Sequence, residues 1–264
     1  TEVIARLQHP GIVPIYTVGG LDELPYYVME RVQGCTLESV LAVLVDRATA
    51  PESGSDFRDA VLAASKAEDV EPTGAGEDLF AGTWEETCLR IVRRVADALD
   101  HAHGRSVLHR DIKPSNVMLT PDGRVMLVDF GLSRSVGGES LTRSNEQVGS
   151  LAYMAPELIE VGARAVDARS DIYSLGVTLY HLLTLRLPFV APSNPAIMVR
   201  ILDGRPAPVR QLNPRVSWET ETVCLAAFER DPARRYSCAS DLARDLTNAL
   251  ERRPICLLYT SPSP

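Results

Sequence analysis

No apolar run in this sequence is long enough to cross a bilayer, and no signal peptide stands at its start. Positive charge is in deficit: 27 Lys and Arg face 35 Asp and Glu, a formal net charge of −8. That balance argues against a general nucleic-acid surface and against binding to anionic membranes. Cysteine is sparse and unpatterned. Cys35, Cys88, Cys224, Cys238 and Cys256 show no paired spacing, which speaks against a disulfide framework or a zinc site and for a reduced, cytoplasmic compartment. His101 and His103 are two apart on a helical stretch and point to different faces, so they make poor joint metal ligands. What remains is an ordinary globular composition in 264 residues, enough for one large or two modest domains.

The informative stretch is His109-Arg110-Asp111-Ile112-Lys113-Pro114-Ser115-Asn116. It is poor in apolar side chains and sits between apolar segments. Before it, Leu89, Val92, Val95, Ala96 and Leu99 have helical spacing. After it come Val117-Met118-Leu119, the turn Pro121-Asp122-Gly123-Arg124, and Val125-Met126-Leu127-Val128, which together read as a β-hairpin. The second strand ends in Asp129-Phe130-Gly131. A loop followed by a hairpin can therefore bring Asp111, Lys113, Asn116 and Asp129 into one cleft. Phosphoryl transfer needs such a set: a base near the attacking hydroxyl, oxygen ligands for Mg²⁺ and a cation for the phosphate. Asp111 and Asp129 are carboxylates, Asn116 a neutral oxygen donor, and Lys113 the cation.

His-Arg-Asp-x-x-x-x-Asn followed by Asp-Phe-Gly resembles the catalytic core of a protein kinase. Ala155-Pro156-Glu157 adds a third family motif. Each tripeptide alone is weak; three in the family's order and at its separations are specific. Lys113, two after Asp111, is the serine/threonine pattern. Leu7-Gln8-His9-Pro10-Gly11-Ile12-Val13 and His101-Ala102-His103 most resemble bacterial eukaryotic-like serine/threonine kinases.

The resemblance implies an α+β, bilobal kinase-like fold over 1–254, with a partial small lobe and hinge in 1–33 and a complete large helical lobe in 34–254. It also implies ATP and Mg²⁺, with protein Ser/Thr hydroxyls as substrates. Asp111 would orient the substrate hydroxyl and take its proton, Lys113 would steady the γ-phosphate, and Asn116 and Asp129 would hold Mg²⁺. Met29 would be the gatekeeper, Glu30 and Val32 would meet adenine through their backbones, and Met118 would line the nucleotide site. His109 and Phe130 would stack with Ile4 and Ile15 in the column that aligns the lobes. Asp171 would accept from backbone N–H groups of the catalytic loop, and Arg235 would pair with Glu157 in a buried bridge. Ser150 stands where the family usually has Thr and keeps a hydroxyl near Asp111 and Lys113. Arg110 marks control through the activation segment, by phosphate at Ser140, Thr142 or Ser144, with Glu146 as a competing anion. The guanidinium of Arg110 is expected to be buried among partners unless an anion neutralises it.

The remaining segments give coarser expectations. Ile12 to Val18 and Leu24 to Val32 read as strands, and Leu37 to Val45 as a helix opened by Thr36. Trp84 to His103 reads as a helix with a Thr83/Glu86 capping box and Gly104 at its end. Asp171 to Leu185 is apolar nearly all round, the mark of a buried helix. Ala196 to Leu202, Trp218 to Arg230 and Ser240 to Leu250 are further helices. Residues 46–82, rich in Ala, Gly, Ser, Asp and Glu and with little apolar periodicity apart from Phe57 to Ala64, read as a disordered insertion. Residues 255–264 do not continue the pattern and read as a non-native tail. The family's Gly-rich loop and strand lysine have no counterpart here, so the chain reads as part of a longer protein. Two rivals share parts of the pattern. A small-molecule phosphotransferase would lack the Ala-Pro-Glu segment. A pseudokinase scaffold would usually have lost one of the residues named above.

Overall fold

A two-stranded antiparallel ribbon opens the part of the chain that the computed structural model describes, which comprises residues 7–21, 24–47, 49–65, 79–130, 150–160, 162 and 167–256. Its strands are β1 (Ile15–Leu21) and β2 (Leu24–Met29), paired from Ile15↔Met29 to Leu21↔Leu24 with a register shift between Ile15 and Thr17. The first strand begins later than its apolar run. Ile12 instead makes a parallel bridge to Leu127, with Val13 N–H bonded to the Leu127 carbonyl at 3.0 Å and Leu127 N–H to Gly11 at 2.8 Å. Pro14, which has no N–H to give, stands between that bridge and β1. The second strand ends at Met29, short of Val32.

The larger lobe is helical, with one small sheet at its upper edge. Thr36 caps α1 (Leu37–Val45) by accepting from Ser39 N–H. The long α3 (Trp84–His103) carries the complete capping box of Thr83 and Glu86 and ends before Gly104. The sheet has the order β3-β4-β5, all antiparallel: β3 (Cys35–Thr36), β4 (Val117–Leu119) and β5 (Val125–Leu127). Beyond it lie α4 (Pro156–Glu160), α5 (Ala168–Thr184), α6 (Asn194–Asp203), α7 (Val209–Leu212), α8 (Trp218–Ala227) and α9 (Ala239–Leu250).

Helix α5 is buried from Ser170 through Tyr180. Two of its hydroxyls are satisfied within the helix: Ser174 donates to the Ser170 carbonyl and Thr178 to that of Ser174. A buried hydroxyl left unbonded would cost about 1–3 kcal/mol. Gly176 lets α8 come close, since a Cβ there would sit 2.8 Å from that of Ala227. Helix α3 packs between α5 and α9, and its buried stripe includes Ile91, Val92, Val95 and Leu99.

Two expectations change. Residues 46–82 are not disordered throughout: 54–65 form α2 (Gly54–Ser65), which packs on α1 and α3. Phe57, Ala60 and Val61 are fully buried, and the Phe57 ring lies 5.1 Å from Trp84 and 6.3 Å from Phe80. Such a short helix is held by tertiary packing rather than by propensity, so the apolar spacing of Phe57 to Ala64 alone did not establish it. At the other end Ile255 is fully buried and Cys256 N–H reaches Asp245 at 2.8 Å. The packed structure thus runs past residue 254, while 257–264 lie outside the described residues.

Candidate active site

The catalytic-loop stretch is anchored from below by one carboxylate. Asp171, in the first turn of α5, is 1% exposed. Its Oδ2 accepts from His109 N–H at 2.9 Å and its Oδ1 from Arg110 N–H at 2.7 Å. His103, in the last turn of α3, adds an Nε2 contact to Oδ2 at 2.8 Å. These bonds hold Arg110 at φ 67, a left-handed conformation that a non-glycine residue adopts only when its surroundings dictate it. The Arg110 residue itself is exposed. Its backbone is fixed by Asp171, and the 131–149 segment expected to supply a partner lies outside the described residues.

His109 is fully buried, and burial lowers its pKa below the usual histidine range, so the ring is neutral. Its bonds set the tautomer: Nε2–H donates to the Val128 carbonyl at 2.9 Å, and Nδ1 accepts from Asp111 N–H at 3.4 Å. The ring lies 4.6 Å from that of Phe130. Ile15 and Phe130 line one small cavity with Val13, Tyr27, Met29 and Asp129. Ile4, the other expected member of that column, lies outside the described residues.

The reacting end is built on Pro114–Asn116, a single tight helical turn that leads into β4. Lys113 Nζ lies 2.8 Å from Asp111 Oδ2 and donates to Ser150 Oγ at 2.8 Å. Asn116 Nδ2 donates to the Asp111 carbonyl at 2.7 Å and to Asp111 Oδ2 at 3.1 Å. The amide nitrogen of Asn116 is therefore committed to Asp111, and its carbonyl oxygen is the end left for a cation. Across the hairpin Val128 N–H bonds to the Asn116 carbonyl at 3.0 Å, so Asp129 follows directly beside Asn116. Gly123, at φ 85, makes the turn that returns the chain.

Asp129 is exposed and also left-handed, at φ 60. Its Oδ1 accepts from the Tyr27 hydroxyl at 3.0 Å. Burial, with the Asp129 charge and bond, raises the Tyr27 pKa, so the phenol stays a donor at neutral pH. Asp129 and Asn116 together offer hard oxygens, the donor type that suits Mg²⁺.

The hinge stretch follows Met29, which borders the same cavity as Asp129. Glu30 N–H bonds to the Pro14 carbonyl at 3.0 Å, and its side chain meets Arg124 at 3.3 Å. Val32 and Met118 are half-buried, and Met118 pairs with Thr36 across β3 and β4. Below the site Arg235 and Glu157 make two bonds of 2.8 Å each. Ser140, Thr142 and Ser144 lie outside the described residues, as does Glu146.

Sequence reasoning missed Tyr27, His103 and Ser170, which donates to Glu157 at 2.7 Å. Tyr27 had a signal: it is two before Met29 on a strand, and alternation places the two side chains on one face.

The protein kinase domain model matches residues 1–247. A probable serine/threonine-protein kinase of Streptomyces coelicolor is 32% identical over 95% of this chain. The serine/threonine-protein kinase PrkC of Bacillus subtilis is 31% identical over 94% of it. The chain spans only 32% of the length of either relative. The crystal structure of the Mycobacterium tuberculosis PknI kinase domain superposes with a TM-score of 0.61, at 27% identity, covering 94% of this chain and 75% of that one. With a family match over nearly the whole chain and the motifs set in a kinase-like lobe, the chain belongs to the protein kinase family, among the bacterial eukaryotic-like serine/threonine kinases.

Proposed function

We propose that this chain carries the catalytic lobe of a kinase that transfers the γ-phosphate of ATP to protein Ser/Thr hydroxyls. The observation that carries the reading is the Asp111 carboxylate, held by Lys113 and Asn116, with Lys113 also bonded to Ser150. Lys113 and Asn116 orient that carboxylate. An incoming hydroxyl is positioned by Asp111, which takes its proton as the bond to phosphorus forms and the bond from the γ-phosphorus to the departing ADP oxygen breaks. Lys113 lies close enough to balance charge on the phosphate, and the Ser150 hydroxyl keeps its ammonium in place. Asn116 and Asp129 would hold Mg²⁺, which supplies charge neutralisation on the nucleotide's phosphates. The backbones of Glu30 and Val32 would receive adenine, with Met29 behind it and Met118 along the site.

The test is phosphorylation of a generic protein substrate by the full-length protein and by its Asp111→Asn variant. The amide keeps the shape and loses the base, so turnover should fall by at least about a hundredfold, the range general-base catalysis supplies. Near-normal turnover by Asp111→Asn would refute the assignment. Control of Arg110 by phosphate at Ser140, Thr142 or Ser144 belongs to the same reading. A mass-spectrometric map of autophosphorylation and a triple alanine variant test it. Full activity in the triple variant together with its loss in Glu146→Ala would assign the anion to Glu146 instead.

A further inference from the structure

The cavity behind the site is walled almost wholly by apolar groups, among them Ile12, Val13, Ile15, Leu127 and Phe130. Two polar side chains enter it, Tyr27 from β2 and Asp129 from the end of the hairpin, and they bond to each other at 3.0 Å. They are 102 residues apart in sequence, so the bond ties the ribbon to the metal-holding corner.

The bond has a chemical consequence for a carboxylate that ligates a metal. Asp129 is exposed, and its backbone is already fixed at φ 60, so the remaining freedom is rotation of the side chain. Mg²⁺ demands near-ideal octahedral geometry, which favours one oxygen of a carboxylate over a chelating pair. A hydroxyl donating to Oδ1 occupies that oxygen and presents Oδ2. Outer partners of this kind orient a ligand and raise metal affinity. Among the described residues that line the cavity, no other side chain carries a donor.

We propose that Tyr27 is a positioning residue for the metal-holding carboxylate, its hydroxyl fixing Asp129 so that a single oxygen faces the cation. The inference rests on the reading of Asp129 as a Mg²⁺ ligand. It assigns Tyr27 a role through Asp129 rather than contact with substrate.

The experiment uses the full-length protein with Mn²⁺ as probe, read by electron paramagnetic resonance in the presence of a non-hydrolysable ATP analogue. Tyr27→Phe keeps the ring that lines the cavity and removes only the hydroxyl, so thermal unfolding should be unchanged within a few degrees. Its Mn²⁺ dissociation constant should rise about tenfold or more. Asp129→Asn serves as the reference. If Asp129→Asn leaves Mn²⁺ affinity untouched, the parent assignment fails. If Asp129→Asn weakens the metal and Tyr27→Phe does not, the parent stands and the role of Tyr27 is refuted. Tighter Mn²⁺ binding by Tyr27→Phe would equally overturn the proposal, because the hydroxyl would then be competing with the metal.

Discussion

Arg235 and Glu157, 78 residues apart, face each other through two parallel bonds of 2.8 Å, one from each terminal nitrogen of the guanidinium. The Arg235 side chain is wholly buried and that of Glu157 is 13% exposed. Buried charges need full hydrogen bonding to offset desolvation, and here they have it. Arg235 also donates to the carbonyls of Glu229, Arg230 and Arg169, and its guanidinium carbon lies 4.8 Å from the centre of the Tyr173 ring. Glu157 takes a further bond from Ser170. One guanidinium thus joins α4, α5 and the loop after α8.

Glu157→Gln tests that joint. Burial alone would raise the Glu157 pKa, but the bonds from Arg235 and Ser170 outweigh it and hold the carboxyl below its usual range. A depressed carboxyl contributes stability that is fully present above the unfolded value, about 4.3, and is lost as pH falls through the folded value. The variant leaves Arg235 buried without its counter-charge, at a cost of about 3–5 kcal/mol. In urea titrations the gap between wild type and variant should be constant from pH 6 to 8 and narrow below about pH 4.3. A gap that does not change on acidification would show that the pair carries no such linkage.

Asp171→Asn tests the anchor of the catalytic loop. The carboxylate accepts from His109 N–H, Arg110 N–H and His103. An amide presents one oxygen and one NH₂, so a donor must then face a donor. Each bond to a charged group is worth about 1.5–3 kcal/mol. Hydrogen exchange should accelerate at the His109 and Arg110 amides before it does in α3. Unchanged protection there would mean that the loop is held by something else.

Helix boundaries that depend on local signals were legible in the sequence. The Thr83 and Glu86 capping box and Gly104 bracket α3, and its apolar spacing names its buried stripe. The corner of the site was legible for a related reason. Asn116 and Asp129 sit at the two ends of one short hairpin, so turn chemistry brings them together without help from the rest of the fold. What was not legible depends on distant partners. Helix α2 is short, and its apolar residues acquire meaning only when Trp84 and Phe80 stand against Phe57. The late start of β1 reflects the Ile12–Leu127 bridge, a pairing across more than a hundred residues. The Tyr27–Asp129 bond is of the same kind.

Phe57→Ala measures how far α2 belongs to the core. Phe57 is fully buried between Phe80 and Trp84, with Ala60 and Val61 beside it on the helix. Truncating a buried Phe costs about 3–5 kcal/mol. The variant should unfold at a lower urea concentration by that amount and be cut by protease within 54–65, where the wild type is protected. Equal stability would return the segment to the status of a surface insertion.

His181 on α5 supplies a pH-dependence whose sign is fixed by the structure. Its Nδ1 and the Tyr153 hydroxyl lie 2.8 Å apart, within hydrogen-bond distance. Burial lowers the pKa of His181 from 6.5 to about 4. As pH falls from 6.5 towards 4, the unfolded chain takes up a proton that the folded chain refuses, so stability declines across that window and levels below it. The depth of the decline is on the order of 3 kcal/mol, at about 1.4 kcal/mol per pKa unit. Changing His181 alone would strand the buried Tyr153 hydroxyl, so the informative variant is His181→Leu with Tyr153→Phe, which removes both ends of the bond. His9 and His109, whose pKa values burial also lowers, titrate alike in both proteins and cancel in the difference. Denaturation midpoints followed from pH 7 to pH 4 should fall less steeply for the double variant than for the wild type. Parallel curves would show that His181 is protonated as readily in the folded lobe as in the unfolded chain.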